Sequence, residues 1–190
     1  NQTSKPIADL HVTINPDLDD IRLDFPAHKL VESDPVSGYR IYRLDAPLAP
    51  GAAMDFEFGY TSRPRGFPLN GGDTAVVYNG TFFNNFAALP QIGYDARRQL
   101  TDRNDRRKYD LPEQPRMPPI DDRDEWNNNY LSGSADWVSF DTTVSTSSGQ
   151  IALAPGYLQR EWNEDGRHYF HYKSEAKLLP FFSWLSADWQ

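Results

Sequence analysis

The stretch Met54–Tyr60 reads MDFEFGY and contains the clearest alternation of apolar and polar residues in the chain. In a β-strand, successive side chains point to opposite faces of the sheet. One face of the predicted strand therefore carries the apolar side chains of Met54, Phe56, Phe58 and Tyr60. Such a strand covers a core on one side and faces water on the other, which is typical of antiparallel sheets.

The same period of two recurs along much of the chain. It is found in Leu10–Ile14, Ile21–Phe25, Tyr39–Leu44 and Val138–Val144. Proline, glycine, asparagine and aspartate separate these segments, as expected at turns. The sequence therefore predicts an all-β fold with mostly antiparallel sheets, arranged as a sandwich or a curved open sheet.

The C-terminal part of the chain predicts a hairpin and one further strand. Asn163–Gly166 has the composition of a hairpin turn between Tyr157–Trp162 and His168–Tyr172. The last apolar stretch, Leu178–Leu185, is interrupted by Pro180, which has no backbone N–H to donate to a ladder. We therefore expect this stretch to be an edge strand.

The middle of the chain has a different character. Asp95 is placed to cap a short helix through residues 96–100, and residues 102–124 are dominated by charges and prolines. A chain of 190 residues suits one domain with a substantial core. We predict a single β-domain over residues 1–190, with a long charged surface excursion of loop and short helix at about residues 95–135.

Composition excludes several classes of function. The net charge of −8 and the sequence pI of about 4.9 disfavour nucleic acid and anionic membrane surfaces as partners. The chain has no cysteine, which excludes disulfides, thiolate zinc sites and thiol nucleophiles. No apolar run approaches the roughly 18 residues needed to cross a bilayer, so we expect no direct membrane insertion by this segment.

The sequence carries no complete catalytic or metal-binding motif. It has no pair of histidines four residues apart with a glutamate between them, and no nucleophile elbow. His168 and His171 are three residues apart, and in a strand this spacing places them on opposite faces. A hydrolase built on carboxylates remains a weak hypothesis, because 27 acidic residues supply carboxylate pairs without singling one out.

The tryptophans support two interpretations. The five are Trp126, Trp137, Trp162, Trp184 and Trp189. They are suited to stacking on sugars, which would make the chain a free-standing carbohydrate- or protein-binding β-sandwich. Most of them lie within apolar strand patterns, which favours packing in a core or an interface.

Residues 137–189 resemble the closing strands of the N-terminal domain of the aminopeptidase N family of zinc metallopeptidases, the gluzincins. The resemblance rests on the strand Val138–Val144, the small-residue turn at 154–156, the hairpin turn Asn163–Gly166 and the aromatic-rich stretch Tyr169–Trp184. Upstream, residues 47–51, PLAPG, are similar to the family's proline-leucine-x-proline-glycine segment before a long strand.

A second segment extends this resemblance. Residues 81–90 are similar to a family segment that begins threonine-glutamine-phenylalanine-glutamate, and Asn84 stands at the position of the residue that reaches the substrate's α-amino group. Residues 79–82 and 89–95 look closer to a bacterial branch in which aminopeptidase-like domains are attached to ABC-type permease segments. The resemblance implies a substrate-binding role for Asn84 and an extracytoplasmic, periplasmic or cell-surface, location in a membrane protein.

The resemblance also implies that this chain is one part of a larger polypeptide. The family's zinc motif would follow Gln190, so zinc is expected in the parent's catalytic domain and no cofactor in this chain. The implied role of this saddle-shaped domain is to pack against that downstream domain and wall the cavity that receives the parent's peptide substrate. We expect the interface to include Phe181, Phe182, Trp184 and Trp189.

Overall fold

The computed structural model describes residues 1–63, 75–93, 99–114, 117–126 and 137–189. Strand makes up 47% and helix 8% of the structure, and the pairs between described strands are antiparallel. The predicted all-β class is therefore confirmed.

The chain divides into two compact units. Unit 1 comprises residues 1–63 and 89–116, and unit 2 comprises residues 64–88 and 117–190. The prediction of a single domain over residues 1–190 is not tested by this division and stays a prediction.

The strands in chain order are β1 (Ile7–Thr13), β2 (Asp19–Asp24), β3 (His28–Asp34), β4 (Tyr39–Leu48), β5 (Glu57–Thr61), β6 (Val76–Val77), β7 (Gly80–Asn84), β8 (Gln91–Ile92), β9 (Asp141–Ser147), β10 (Ile151–Leu153), β11 (Tyr157–Glu164), β12 (Arg167–Lys173) and β13 (Ser183–Ala187). The helices are α1 (Asn85–Ala88) and α2 (Arg103–Lys108), and Arg123–Glu125 forms a 3₁₀ turn.

Unit 1 contains two sheets, one with the strand order β3-β4-β1-β8 and one that pairs β2 with β5. The predicted alternation produces its core, because the apolar positions of β1, β2 and β4 point inward together. The buried residues are Leu10, Val12, Ile14, Phe25, Tyr42 and Leu44. Met54 and Phe56 pack against this cluster, whereas Phe58, on the same predicted face, is 40% exposed.

The charged middle of the chain contains a helix that the sequence analysis did not predict. The side chain of Asp102 accepts hydrogen bonds from the backbone N–H groups of Asn104 and Asp105 and thereby caps α2. Every residue of α2 is at least partly exposed. Of the helix predicted at 96–100, residues 96–98 lie outside the described residues, and Gln99 and Leu100 are not helical.

Unit 2 contains one sheet with the strand order β10-β13-β7-β6 and another with the order β11-β12-β9. The hairpin predicted at Asn163–Gly166 joins β11 to β12. Asp165 and Gly166 adopt positive φ angles of 49° and 75°, as a two-residue turn with the twist of the flanking strands requires. The predicted hairpin is thus confirmed.

The prediction that the last apolar stretch is an edge strand is wrong. Strand β13 is hydrogen-bonded to β10 on one side and to β7 on the other, so it lies inside its sheet. Pro180 lies three residues before the strand begins, and its missing N–H therefore removes no bond from the ladder.

Aromatic side chains form much of the interior of unit 2. Phe140 lies 4.7 Å from Phe182 and 6.0 Å from Trp184, measured between ring centroids, and Phe83 stacks on Trp184 at 5.3 Å. A neighbouring buried cluster consists of Ala152, Phe170 and Tyr172. In the alternation predicted for Val138–Val144, the even-numbered residues face the interior of unit 2. Phe140 is buried, whereas Asp141 and Thr143 are exposed.

Asn85 joins two parts of unit 2 that are distant in sequence. Its backbone N–H donates to the Phe182 carbonyl at 2.9 Å, its Oδ1 accepts from the Phe182 N–H at 3.0 Å, and its Nδ2 donates to the Pro180 carbonyl at 2.7 Å. Asn85 is 7% exposed, so water does not readily replace these bonds. The side chain of the preceding Asn84 has a more local role, since its Oδ1 accepts from the Ala87 N–H at the start of α1.

Gly38 occupies a position in unit 1 that no other residue type fits. Its φ is +72°, and a Cβ atom there would lie 1.8 Å from the carbonyl oxygen of Ile14. The two residues approach closely because the Ile14 N–H donates to the Gly38 carbonyl at 3.1 Å. Gly51 has a similar φ of +77°, but a Cβ atom there would meet no heavy atom within 4 Å.

We therefore predict that Gly38→Ala destabilises the protein by about 3 kcal/mol or more, because backbone strain and a clash with main-chain atoms add together. Gly51→Ala is the matched control and should cost only the backbone strain of about 1–2 kcal/mol. Urea unfolding followed by circular dichroism measures both values. Equal losses for the two variants would contradict the role assigned to the contact with Ile14.

We predict that Asn85→Ala lowers the free energy of unfolding by about 2–4 kcal/mol, because it leaves the Phe182 N–H and the Pro180 carbonyl without their partner. Asn84→Ala removes only the cap of α1 and should cost about 1 kcal/mol or less. Chemical denaturation of both variants provides the comparison. A loss for Asn84→Ala as large as that for Asn85→Ala would show that the bonds to residues 180–182 are not the dominant ones.

Candidate functional site

The outer side of the sheet β10-β13-β7-β6 is apolar. Directly paired residues of antiparallel strands lie on the same face, so the register defines two rows. Leu153, Leu185 and Phe82 form one row across three strands, and Ile151, Ala187, Gly80 and Val77 form the other across four. We call the six of these residues that carry apolar side chains the apolar face: Val77, Phe82, Ile151, Leu153, Leu185 and Ala187.

Most of this apolar face is open to solvent in the chain. The exposed fractions are 54% for Phe82, 47% for Val77, 42% for Ile151 and 41% for Leu153. At one end of the face, the paired residues Ser183 and Asn84 add polar side chains. An antiparallel sheet that faces water normally presents polar residues there, and a contiguous apolar surface marks a site of contact with another surface.

The four aromatic residues predicted for an interface are divided between the inside and the outside of unit 2. Phe181 and Trp189 are 52% and 48% exposed. Phe182 is buried, and Trp184 is half-buried and donates from Nε1 to the Thr142 hydroxyl at 3.2 Å. An interface role stays a prediction for all four, and only Phe181 and Trp189 offer substantial free surface for it.

Trp189 also lies beside the apolar face. Its indole Nε1 donates to the carbonyl of Ile151 at 3.1 Å, which fixes the ring next to β10. Phe181 instead lies near Phe86, with 5.9 Å between the ring centroids. Both rings are thus held in place by unit 2 while roughly half of their surface stays exposed.

Asn84, the predicted substrate-binding residue, ends β7. It is paired with Ser183 and lies two residues after Phe82, so its side chain starts from the same side of the sheet as the apolar face. Its Oδ1 is occupied by the Ala87 N–H at 3.1 Å. Contact with a substrate amine stays a prediction.

The histidines do not form a metal site. His168 Nε2 lies 2.7 Å from a Glu161 carboxylate oxygen, and His171 Nε2 lies 2.7 Å from an oxygen of Asp141. The hydrogen bond from His171 holds the pKa of the Asp141 carboxyl below its usual value, with a smaller contribution from Lys173. Among the residues described, no group of three or more histidine, aspartate or glutamate side chains is placed to hold a metal ion, so they do not fit a zinc site.

Two of the tryptophan rings considered for sugar stacking, Trp162 and Trp126, already contact other side chains. Trp162 stacks on Tyr169 with 5.1 Å between centroids, and the guanidinium carbon of Arg160 lies 4.8 Å from its ring. Trp126 has Arg123 at 5.6 Å and donates to the Ile120 carbonyl. These contacts use ring surface that a sugar platform would need.

A cavity of about 250 Å³ beside α2 is lined by Arg103, Arg106 and Arg107, and the side chains of Arg103 and Arg106 are engaged locally. Arg103 pairs with Glu113 at 3.0 Å, and Arg106 donates to the carbonyls of Leu100 and Pro112. The side chains of Arg103 and Arg106 therefore stabilise the segment around α2.

Most residues of the apolar face could not be identified from the sequence. Phe82 lies in the segment 79–82 that carries part of the family resemblance, and no pattern in the sequence singles out Ile151 and Leu153 as surface residues. Alternation shows that Leu185 and Trp184 lie on opposite faces, but it does not show which of them points inward. The register of β13 between β10 and β7 supplies that information.

Within the part of the chain that the structure describes, no helix is long and apolar enough to cross a membrane.

No family model matches the sequence, and no curated protein matches it. The structure is similar to a crystal structure of an M1 zinc metallopeptidase from Deinococcus radiodurans, with a TM-score of 0.49 and 11% identity. It is also similar to a two-domain M1 zinc metallopeptidase mutant bound to L-tryptophan, with a TM-score of 0.49 and 10% identity. In both comparisons the alignment covers 96% of this chain and 35% of the other. At this level, the similarity assigns neither a family nor an activity.

Proposed function

We propose that this chain is the non-catalytic N-terminal domain of a membrane-linked zinc aminopeptidase-like protein, and that it packs against a downstream catalytic domain. The apolar face is the observation that carries the proposal. An uncovered row of Leu153, Leu185 and Phe82 is costly in water, at roughly 25 cal/mol for each Å² of apolar surface, and a covering domain removes that cost.

The positions of Asn84 and Trp189 also support a partner domain that covers the apolar face. Asn84 lies at one end of the pairing between β7 and β13, and Trp189 lies two residues beyond the other end, beside Ile151 of β10. A domain that covers this face would bring Asn84 to the border of the contact. From there it could contribute to the wall of a peptide-binding cavity, as the sequence resemblance implies.

The chemistry of the parent would then reside in the downstream domain. The described histidines here are bonded to Glu161, Asp141, Tyr39 and a backbone carbonyl, so a zinc ion is expected only in the catalytic domain. Peptide substrates, an extracytoplasmic location and the attachment to an ABC-type permease segment are part of this proposal and follow from the sequence resemblance.

The alternative is a free-standing carbohydrate- or protein-binding module. The contacts of Trp162 with Tyr169 and Arg160 disfavour the carbohydrate version. A protein-binding module could use the apolar face equally well, so the two proposals differ in whether the partner belongs to the same polypeptide.

We predict that Phe82→Ser weakens association of this chain with the polypeptide that follows Gln190 in the parent by about tenfold or more, because it removes a large apolar side chain from the centre of the contact. Leu30→Ser is the matched control, since Leu30 is also 54% exposed but lies on β3 in unit 1. Isothermal titration calorimetry measures both affinities.

Equal effects of the two substitutions would argue against the apolar face as the interface. The absence of association, or the lack of a zinc-binding motif in the following sequence, would contradict the proposed parent. Tight stoichiometric binding of zinc by this chain alone would also contradict it, because the proposal assigns the metal to the other domain.

A further inference from the structure

The turn between β6 and β7 contains an asparagine that is followed directly by glycine. Strand β6 ends at Val77 and β7 begins at Gly80, so Tyr78 and Asn79 form a two-residue loop. Tyr78 is 99% exposed, and Asn79 is exposed as well. The side chain of Asn79 is therefore in contact with water at the tip of this hairpin.

An asparagine in this sequence context can modify itself. The backbone nitrogen of the next residue loses its proton to base and attacks the side-chain carbonyl carbon. A succinimide ring closes, and the side-chain amide nitrogen takes up a proton and leaves as ammonia. Water then adds to one of the two ring carbonyls and opens the ring to aspartate or iso-aspartate. Glycine hinders the attack least, because it has no side chain.

The packing of unit 2 requires glycine at this attacking position. Gly80 is paired with Ala187 of β13, and a Cβ atom on Gly80 would lie 2.9 Å from the carbonyl oxygen of Ser186. A larger residue that would shield the backbone nitrogen therefore does not fit unless β13 shifts. The close contact with β13 thus keeps the nitrogen that follows Asn79 sterically open.

The side chain of Asn79 is free to approach this nitrogen. Other asparagine side chains of unit 2 are held by hydrogen bonds, since Asn85 Oδ1 accepts from the Phe182 N–H and Asn84 Oδ1 accepts from the Ala87 N–H. In contrast, the Asn79 side chain makes no hydrogen bond with any residue that the structure describes. No bond has to break before its carbonyl carbon can be attacked.

The hairpin around Asn79 opens at low cost. Strand β6 is the edge of its sheet and pairs with β7 through Val76 and Val77, which are 40% and 47% exposed. A two-residue turn matches the twist of its strands best when its residues have positive φ, and neither Tyr78 nor Asn79 has. Short exposed elements open locally for much less free energy than global unfolding requires. The backbone rotation that ring closure needs is therefore accessible in the folded protein.

We propose that Asn79 is a site of spontaneous modification, which deamidates through a succinimide in the folded protein and becomes aspartate or iso-aspartate. The product carries a negative charge, and iso-aspartate also adds one carbon atom to the main chain before Gly80. Both changes occur two residues from Val77, at a corner of the apolar face. The proposal does not rest on the function proposed above, because the reaction involves Asn79, Gly80 and water alone.

The test follows the loss of the Asn79 amide in the intact chain. The protein is incubated in mildly alkaline buffer, digested at acidic pH and measured by mass spectrometry with electron-transfer fragmentation. This fragmentation distinguishes iso-aspartate from aspartate and reads Asn79 separately from Asn70, which also precedes glycine.

Asn163 is the internal control, because it is exposed but is followed by glutamate. We expect Asn79 to lose its amide at least about tenfold faster than Asn163, since the side chain of Glu164 hinders attack by its backbone nitrogen. Equal rates at the two positions would overturn the proposal.

A second measurement shows whether the folded state itself reacts. The same incubation in guanidinium chloride gives the rate of the unfolded chain. We expect the folded protein to react within about a hundredfold of that rate, because only the hairpin has to open. If Asn79 reacted only after global unfolding, the folded protein would be slower by roughly 10³-fold or more, the equilibrium constant of folding, and this result would overturn the proposal.

Nuclear magnetic resonance locates the change in the folded protein. Amide signals of residues 76–82 should change as the Asn79 amide is lost. Asn79→Gln is the matched control, because it keeps a carboxamide but would have to close a larger ring, and its signals in this segment should stay constant. Retention of the Asn79 amide in the folded protein, or the same signal changes in Asn79→Gln, would contradict the proposal.

Discussion

The three hydrogen bonds between Asn85 and the segment Pro180–Phe182 set the register of strand β13. They hold the residues just before β13 against the end of β7, so that Ser183 lies opposite Asn84. A shift of one residue would move every side chain of β13 to the other face of its sheet. The arrangement of unit 2 therefore depends on a buried amide that joins positions 97 residues apart.

This register decides what unit 2 encloses and what it exposes. Trp184 and Ser186 point inward, where Trp184 contacts Phe83 and Phe140 and Ser186 donates to Gln150. Leu185 and Ala187 point outward and complete the apolar face with their neighbours on β10 and β7. The aromatic interior and the uncovered surface are thus two sides of the same strand.

Local patterns in the sequence predict the strands and turns of this fold better than they predict which strands pair with each other. The alternation at Val138–Val144 correctly separated buried from exposed positions, and the turn at Asn163–Gly166 correctly predicted the hairpin, since both depend on neighbours in the sequence. The sheet position of β13 could not be derived in this way. It depends on bonds from Asn85, and nothing near residue 183 in the sequence indicates them.

The apolar face, too, could not be predicted from local sequence patterns. The aromatic residues at 181–189 lead to the prediction of an interface in this part of the chain, but an alternation with period two assigns residues only to alternate faces, and the partner strand fixes which face is inside. Phe182 and Trp184 consequently belong to the interior, whereas Phe82 and Ile151, from other parts of the chain, form the surface. Asp102, which caps α2, is a local signal for this helix, but the many charged residues around it make the signal hard to distinguish.

The distribution of charge distinguishes the apolar face from the edge strands. The edge strands β3 and β11 each carry three or more charged residues, which keeps these edges from pairing with other chains. The six residues of the apolar face carry no charge. Because the rest of the chain is acidic, nonspecific association is discouraged over most of its surface. The uncharged apolar face is therefore the surface on which we propose that a partner docks, and the contact surface of that partner must be apolar too.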